Sequence, residues 1–372
     1  MPARGSSQRL ALFLPTLDDG GAERVMLQLG ASFSARGHGV DLVLAIPGGP
    51  LASQVPPGVR VISFGASRTA LALPALVRYL RRERPAALLS TLEHANLLAL
   101  WAAALARTGV RVVLREANVL LPRGQIHGLR GAALRVLMQR FYGSASAVIA
   151  VSKSVEQSLA AGLGLSALKL RTIYNPVVTA DLLQSASAPL DDPWFAPGAP
   201  PVMLGVGRLA PQKDFATLLR AFAELRALRP ARLVILGEGD ERASLEALAK
   251  SLGVVADVRL PGFDHNPFRY MSRAALFVLS SIYEGLPGAL VQAMACGCRV
   301  ISTDCPGGSR EVLAGGSGIL VSVRDAHAIA VASATLLDDA ARGPARVQYR
   351  LDRFEERVTV DQYLDVLGVP SR

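Results

Sequence analysis

Cysteine is scarce in this chain: only Cys296, Cys298 and Cys305 occur among 372 residues. Their odd number, the absence of a Cys-x-x-Cys pair and the lack of clustered histidines argue against a disulfide framework or a structural zinc site. We therefore expect a cytoplasmic protein with no metal-ligating residues and no bound cofactor.

Long apolar runs are also missing. The densest one, Leu97 to Ala106, ends at Arg107, whereas a membrane-spanning helix needs roughly 20 apolar residues. Near the start, the apolar stretch Leu10 to Leu17 runs directly into Asp18-Asp19-Gly20-Gly21. That arrangement is typical of a strand and a turn and not of a secretion signal. The sequence predicts no membrane span.

Aromatic residues are few as well, at 5 % of a chain whose net charge is +10. Basic proteins that bind nucleic acid usually carry stacking aromatics or a recognised module, and neither occurs here, so nucleic acid is not an expected partner. Residues 1–180 hold 20 Lys and Arg against 8 Asp and Glu, while residues 181–372 hold 20 against 22. A basic first half attracts an anionic membrane or an acidic substrate, and net charge alone does not separate the two.

Short apolar runs alternating with amphipathic helical patterns are what the chain has in abundance. Leu10 to Leu14 precedes a helical pattern from Ala22 to Arg36, and Val202 to Val206 precedes another. Such alternation with nearly continuous apolar strands predicts an α/β protein with parallel sheets covered on both faces. The length exceeds what one hydrophobic core usually organises, so two domains are expected.

The segment from Val177 to Pro200 is rich in Pro, Ala, Ser and Asp and has no periodic face, which indicates a linker. We therefore predict a first domain at residues 1–180, a linker at 181–200 and a second domain at 201–352. The simplest architecture is two doubly wound, Rossmann-like sheets that face each other across a cleft.

Three loops at predicted strand ends are candidate binding sites, because ligands of open parallel sheets gather there. The first contains Gly20-Gly21, whose backbone could approach a phosphate, although the glycine pair alone favours a plain tight turn; it is not a GxGxxG fingerprint. The second contains Gly207, Arg208 and Lys213, two cations suited to a diphosphate, although surface cations are often only solvated.

The third loop is Glu284-Gly285-Leu286-Pro287-Gly288, which opens a helix of small residues extending past Gln292. Its free backbone N–H groups suit a phosphate or sugar hydroxyls, and Glu284 can accept hydrogen bonds from hydroxyls. Alternatively, Glu284 only stabilises the helix dipole, and Gln292 is an ordinary helix residue.

In combination, these loops and several others resemble GT-B fold glycosyltransferases of family 4, the group 1 glycosyltransferases. The resemblance covers nearly the whole chain and is carried by these motifs: Gly20-Gly21-Ala-Glu-Arg-Val, Val148-Ile-Ala-Val-Ser152, Tyr174-Asn175-Pro176, Gly205-Val-Gly-Arg208 through Lys213, Leu236-Gly237-Glu-Gly239, Pro261-Gly262-Phe263, and Glu284-Gly-Leu-Pro through Ala295-Cys-Gly297.

The resemblance implies a retaining transfer from a nucleotide-activated sugar without a required metal ion. Arg208 and Lys213 would hold the donor diphosphate, and Glu284 would bind donor-sugar hydroxyls. Further donor-binding residues implied by the motifs are Gly20, Gly21, Gly207, Gly262, Phe263, Gly285, Leu286, Pro287, Gly288 and Gln292. The last stretch, about residues 353–372, is expected to return as a helix to the first domain, as in similar folds.

One position departs from the family pattern, which has a second glutamate where this chain has Gln292. A glutamine has one neutral carbonyl acceptor in place of a carboxylate, so ribose binding is expected to be looser. Family members also often carry a histidine of the first domain near the reacting centre. His94, His127 and the segment 115–118 (Arg-Glu-Ala-Asn) are the nearby options, and the sequence does not choose among them.

The segment from Arg123 to Phe141 suggests a membrane contact, because Leu134, Leu137, Met138 and Phe141 share one side and arginines lie beside them. A core helix with a solvated basic edge has the same pattern. The basic first half favours peripheral contact with the cytoplasmic face of the membrane.

We therefore predict a hexosyltransferase that uses a UDP- or GDP-sugar and a glycan or lipid-linked acceptor in envelope or exopolysaccharide synthesis. A nucleotide-sugar epimerase of the same fold and a non-catalytic nucleotide-sugar sensor remain the alternatives.

Overall fold

A computed structural model describes residues 9–18, 20–120, 128–342 and 346–371. The chain divides into two compact units. The first unit contains the described residues up to Pro176 together with those from Glu356 onward, and the second unit is Val177–Glu355. Each unit is built on a parallel sheet with helices between its strands.

The sheet of the first unit has seven strands, all parallel, in the order β3-β2-β1-β4-β5-β6-β7. The strands are β1 (Arg9–Leu14), β2 (Gly39–Leu44), β3 (Val59–Ser63), β4 (Ala87–Thr91), β5 (Arg111–Glu116), β6 (Ala147–Ala150) and β7 (Leu170–Thr172). The central strands β1 and β4 are almost wholly buried, as expected when helices cover both faces of a sheet.

The helices of this unit are α1 (Gly21–Ala35), α2 (Leu73–Glu83), α3 (Glu93–Ala106), α4 (Gly128–Phe141) and α5 (Lys153–Leu163), and the last helix of the chain, Glu356–Leu367, also belongs to it. That last helix buries Tyr363 and Leu364 in the same hydrophobic cluster as Phe33 of α1. Arg36, which directly follows α1, forms an ion pair with Asp361 of the last helix at 2.5 Å, and this pair holds the last helix beside α1.

The segment from Arg123 to Phe141 provides less membrane-facing apolar surface than its sequence suggests. Residues 123–127 lie outside the described part of the chain. Within α4, Met138 is buried and Phe141 packs edge-on against Trp101 of α3 at 5.7 Å. The apolar side predicted to face a bilayer is thus partly used for packing against α3, because a helix beside a sheet buries its apolar stripe in the fold.

The sheet of the second unit has six parallel strands in the order β10-β9-β8-β11-β12-β13. They are β8 (Val202–Val206), β9 (Arg232–Leu236), β10 (Val258–Gly262), β11 (Leu276–Leu279), β12 (Arg299–Thr303) and β13 (Ile319–Val321). The helices are α6 (Ala180–Ala186), α7 (Phe215–Leu228), α8 (Arg242–Ser251), α9 (Phe268–Met271), α10 (Gly288–Ala295), α11 (Ser309–Val312) and α12 (Ala326–Arg342); the last helix of the chain is α13.

The segment predicted to be a linker, residues 181–200, is instead ordered structure within the second unit. It contains most of α6, in which Leu182 is buried, and a short 3-10 helix at Pro193–Phe195. Trp194 of that turn is buried, and the guanidinium carbon of Arg259 lies 3.9 Å from the centre of its ring. The prediction failed because one or two anchoring apolar residues produce no periodic pattern.

The described residues include no helix long and apolar enough to cross a bilayer.

Candidate active site

The strand order of the second sheet reverses between β8 and β11, which are hydrogen-bonded neighbours. The chain leaves β8 toward β9 on one side, and β11 leads to β12 on the other. In open α/β sheets, the loops at the carboxyl ends of two such strands diverge and leave a crevice that binds ligands. The loop 207–213 follows β8 and the loop 280–288 follows β11, so both sequence candidates of this unit lie at the switch point.

Hydrogen bonds join these two loops directly. The Ser280 hydroxyl donates to the Lys213 carbonyl at 2.7 Å, and the Ile282 N–H donates to the Gln212 carbonyl at 2.8 Å. The Gln212 side-chain amide donates to the Tyr283 carbonyl at 2.9 Å. The short 3-10 turn that carries Lys213 is therefore held at a fixed position beside the loop that carries Glu284.

Lys213 and Glu284 form an ion pair, with 2.6 Å between Nζ and Oε1. The Glu284 side chain is 8 % exposed and that of Lys213 is 21 % exposed. The buried Ser281 hydroxyl donates to the same oxygen, Oε1, at 2.7 Å. Within the described residues no donor reaches the other oxygen, Oε2, which leaves a charged acceptor whose orientation is already set by two neighbours.

A glycine on the next strand's loop supports the backbone of Glu284. The Glu284 N–H donates to the Pro306 carbonyl at 2.9 Å, and the Gly308 N–H donates to the Gly285 carbonyl at 2.8 Å. Gly307, between them, has a φ of +132°, and a Cβ at this position would lie 2.1 Å from the Glu284 carbonyl oxygen. Only glycine fits where two backbones approach this closely.

A second set of glycines joins the loops after β8, β9 and β10. The Gly237 N–H donates to the Gly262 carbonyl at 2.8 Å, and the Gly207 N–H donates to the Leu236 carbonyl at 3.0 Å. A Cβ on Gly237 would lie 1.9 Å from the Gly207 carbonyl oxygen. Gly207 and Gly262 thus lie along the same edge of the sheet, and Phe263, 45 % exposed, follows directly.

The helix α10 begins at Gly288, after Pro287, and no side chain caps its first turn. The first backbone N–H groups of a helix have no intrahelical partner and suit an anionic or hydroxyl ligand. Leu286 and Pro287 are buried, whereas Gln292 is half-buried on the same helix and its side chain bonds to no described residue.

Arg208 lies near the end of β8 with its side chain exposed and forms no ion pair with any described residue. Its guanidinium fork is therefore available to a ligand. Gly20 and Gly21 belong to the first unit, where Gly20 precedes α1 and Gly21 is its first residue. Gly20 has an ordinary extended backbone, and Gly21 has open space where a Cβ would be. Their role at the donor phosphates stays a prediction.

Two family models match this chain. The model described as "Glycosyl transferases group 1" matches residues 190–350, and that described as "Glycosyltransferase Family 4" matches residues 19–181. The chain belongs to the family 4, or group 1, glycosyltransferases. The family expected from the motifs is confirmed.

Curated relatives of this glycosyltransferase include the N-acetylgalactosamine-N,N'-diacetylbacillosaminyl-diphospho-undecaprenol 4-alpha-N-acetylgalactosaminyltransferase of Campylobacter jejuni. It is 28 % identical over 346 residues, which cover 89 % of this chain and 91 % of the relative. The lipopolysaccharide core biosynthesis glycosyltransferase LpsE of Rhizobium meliloti is 30 % identical over 54 % of this chain and 58 % of its own length.

Solved structures resemble the whole chain. Anabaena Alr3699/HepE, in complex with UDP and glucose, has a TM-score of 0.79 at 19 % identity and covers 97 % of this chain and 99 % of its own. The apo lipopolysaccharide outer core galactosyltransferase WaaB has a TM-score of 0.72 at 18 % identity, with coverage of 97 % and 99 %. These similarities confirm the expected GT-B fold class.

The first unit of this glycosyltransferase also has a switch point, between β1 and β4. Glu93 and His94 follow β4 there, at the start of α3, and burial raises the pKa of Glu93 and lowers that of His94. His94 thus lies at the carboxyl end of β4, the kind of position at which open parallel sheets bind ligands. His127 lies outside the described residues.

The segment 115–118 divides into different roles. Arg115 is buried and donates to Asn175 at 2.7 Å, Thr91 at 3.1 Å and Tyr363 at 3.2 Å. These partners come from three separate segments, so Arg115 joins β4, the Asn-Pro motif and α13. Its donors are occupied by structural partners, which makes it a poor candidate for contact with substrate.

Glu116 is buried beside Arg115 and accepts hydrogen bonds at Oε1 from the Tyr142 hydroxyl at 2.6 Å and the Asn96 amide at 2.7 Å. Burial, together with the nearby charge of Glu93, raises the pKa of Glu116 to about 7. The two hydrogen bonds oppose this shift but do not cancel it, because removing a carboxylate from water is costly.

We expect Glu116→Gln to change how the stability of the first unit depends on pH. With a pKa of about 7 in the fold and 4.5 as reference, Glu116 keeps its proton in the folded protein between these pH values, whereas the unfolded chain releases it. The wild type therefore loses stability as pH rises through this window. The glutamine variant has no proton to release and lacks that loss. The unfolding free energy of the variant minus that of wild type should therefore increase by about 3 kcal/mol as the pH rises from 4.5 to above 7.

The measurement is denaturant unfolding at several pH values, followed by fluorescence of Trp101 in the first unit. Asp240→Asn, which removes an exposed carboxylate in the second unit, is the control. A pH-independent difference between Glu116→Gln and wild type would contradict the raised pKa.

Two residues of the site were not among the sequence candidates: Ser281, which orients Glu284, and Gly307, which supports its backbone. The Pro306-Gly307-Gly308 run after an apolar strand is a turn signal that could have indicated the latter. Ser281 has no comparable signal. The described residues include no group of three or more His, Cys, Asp or Glu placed to hold a metal ion, and metal independence stays a prediction.

Proposed function

We propose that this glycosyltransferase moves a hexose or acetamido-hexose from a UDP- or GDP-sugar to a glycan or lipid-linked acceptor, with retention at the anomeric carbon. The proposed setting is envelope or exopolysaccharide synthesis at the cytoplasmic face of the membrane. The names of the relatives support it: one transfers N-acetylgalactosamine to a diphospho-undecaprenol-linked acceptor, and another acts in lipopolysaccharide core synthesis. Anabaena HepE, of similar fold, was solved with UDP-glucose.

The observation that carries the proposal is the Lys213–Glu284 pair at the switch point of the second sheet. A glycosyl donor has an anionic diphosphate next to a sugar with several hydroxyls. Lys213 and Arg208 provide positive charge for the first, and Glu284 Oε2 provides an acceptor for the second. A cation and a carboxylate at adjoining positions match the two parts of such a donor.

In the proposed reaction, the bond between the anomeric carbon and the diphosphate oxygen breaks, and its electron pair leaves with the nucleoside diphosphate. The acceptor oxygen forms the new bond on the same face, and its proton passes to the departing diphosphate. Negative charge grows on the diphosphate as the bond breaks. Lys213 and Arg208 stabilise that charge in the position where other enzymes use a metal ion.

The remaining donor contacts follow from the same edge of the sheet. The N–H groups at Leu286 and Gly288 face the donor, Gly207 lets the backbone approach the diphosphate, and Gly262 and Phe263 contact the base. Gln292 binds the ribose through a neutral amide, so ribose affinity is lower than a glutamate would provide.

The proposal is tested by screening the full-length protein against UDP-, GDP- and dTDP-sugars by thermal shift, and then by transfer of a radiolabelled sugar from the donor that binds. A donor present at about 100 times its Kd stabilises the folded state by about 2.7 kcal/mol, so the matching donor raises the Tm. Radiolabel is expected in a lipid-linked or glycan acceptor only when that acceptor is added.

Three outcomes would contradict this function. Conversion of the donor sugar without any acceptor favours the epimerase. Donor binding without turnover, across a panel of acceptors, favours the sensor. If no nucleotide-sugar binds, the glycosyltransferase, the epimerase and the sensor are all contradicted.

A further inference from the structure

A groove of about 670 Å³ runs along the outer surface of the first unit between α2 and α3. Apolar and basic side chains alternate around it. Its lining includes Leu73, Val77, Leu105, Arg78, Arg81 and Arg82. None of these residues belongs to the candidate active site.

The apolar part of this surface is exposed to an unusual degree. Leu105 near the end of α3 is 53 % exposed, and Leu71, in the 3-10 turn Thr69–Ala72 that packs against α2 and α3, is 63 % exposed. Single exposed leucines are ordinary, whereas exposed leucines beside a groove that Leu73 and Val77 also line indicate an interaction surface.

The charged part of the surface is almost entirely positive. The exposed arginines of α2, α3 and the residues flanking them are Arg68, Arg78, Arg81, Arg82, Arg84 and Arg107. Glu83 is the one acidic residue between Arg68 and Arg84 in the sequence. It is 22 % exposed and paired with Arg60 at 2.6 Å, so it contributes little negative charge to this surface.

The groove is also held in shape. Arg81 donates to the Leu105 carbonyl at 2.8 Å, which joins the C-terminal ends of α2 and α3. The neighbouring Arg82 is 84 % exposed, and its Nε lies 3.5 Å from Glu83 Oε1, an ion pair that leaves most of the guanidinium open to solvent. Arg81 is thus held beside Leu105, and Arg78 and Arg82 line the same groove.

We propose that this α2–α3 groove docks the enzyme on a bilayer of anionic phospholipids. The arginines bind lipid phosphates, and Leu71 and Leu105 enter the boundary between headgroups and acyl chains. An apolar strip edged with arginine matches a lipid surface better than a soluble acidic protein, because only a bilayer offers dense phosphate directly above a hydrocarbon layer. The purpose of docking rests on the proposed lipid-linked acceptor, whereas the docking itself does not.

The test measures sedimentation of the full-length protein with vesicles of phosphatidylcholine alone or mixed with phosphatidylglycerol, without donor or acceptor. We expect binding to the anionic vesicles only, and weaker binding at high salt because the Debye length falls from about 10 Å at 0.1 M to about 3 Å at 1 M. The double variant Arg78→Glu/Arg82→Glu should bind at least about tenfold more weakly, since each basic residue near the surface contributes roughly 1 kcal/mol.

The matched control is Arg220→Glu/Arg350→Glu, which makes the same change in net charge at two exposed arginines of the second unit. It should retain most of the binding. Leu105→Ser tests the apolar contact and should weaken binding several-fold at unchanged charge. Circular dichroism and the donor-induced thermal shift verify that each variant is folded, and the thermal shift tests the proposed function separately.

Equal loss of vesicle binding in the two charge-reversal variants would overturn the proposal, because net charge alone would then explain the attraction. Binding that survives Arg78→Glu/Arg82→Glu, or that is unaffected by Leu105→Ser, would also overturn it. If the wild type does not bind anionic vesicles but its Tm still rises with a nucleotide-sugar, the docking proposal is wrong and the proposed function is unaffected.

Discussion

Lys213→Met should lower kcat/KM for sugar transfer by at least about 100-fold, because in the proposed reaction the departing diphosphate loses a cation held beside it; losing one such preorganised contact typically costs about 10²–10³ in rate. Methionine keeps the unbranched apolar stem of lysine and removes the ammonium group, with its charge and its N–H donors. Lys213 is 21 % exposed, so its contribution is only partly screened by solvent. Transfer assays with saturating acceptor and varied donor give kcat and KM separately.

The same substitution leaves Glu284 without its cation. Since the carboxylate is largely buried, with 8 % exposure, the variant is also expected to lose stability. Glu284→Gln removes that uncompensated charge, so the double variant should be more stable than the sum of the single losses predicts, a coupling that a double-mutant cycle measures. Turnover, in contrast, should stay low in all three variants, because the proposed function assigns both groups to the donor.

Lys250→Met is the control, since Lys250 is an exposed lysine in α8 of the same unit. It should leave donor affinity and turnover unchanged. If Lys213→Met retains transfer within about threefold of wild type while the control behaves normally, the role of Lys213 at the diphosphate is wrong.

Gly307→Ala should strongly destabilise the second unit, lowering its unfolding free energy by more than about 3 kcal/mol. The φ of +132° is poorly accessible to an alanine, and the new Cβ would lie 2.1 Å from the Glu284 carbonyl oxygen. That oxygen belongs to the backbone, so no side chain can rotate to relieve the clash. The loop carrying Glu284 must move, and donor affinity should fall with it.

Gly315→Ala provides a matched control, because Gly315 also has a positive φ, +84°, but nothing within 4 Å of the added Cβ. It should cost about 1–2 kcal/mol, the penalty of a left-handed backbone alone. Denaturant unfolding is followed by fluorescence of Trp194, which lies in the second unit, in a Trp101→Phe background so that the first unit is silent. Equal destabilisation by the two alanines would refute the close-approach argument at Gly307.

Local sequence patterns were sufficient where they reflect local physics. Apolar runs separated by amphipathic helices predicted the parallel sheets of both units, because strand and helix periods are properties of consecutive residues. Glycines and cations after the runs at Val202–Val206 and Leu276–Leu279 located the candidate loops. The same reasoning missed α6 and the turn at Trp194, whose few anchoring residues have no period.

The sequence by itself determined the fold class, the family and the loops in which Arg208, Lys213 and Glu284 lie. Only the tertiary structure decided that Lys213 and Glu284, separated by 71 positions, form one pair oriented by Ser281, that Gly307 supports it, and that the exposed apolar and basic surface lies between α2 and α3. The reason is that pairing β8 with β11, and packing α2 against α3, are long-range events. Their energies depend on segments far apart in the chain, which no local period records.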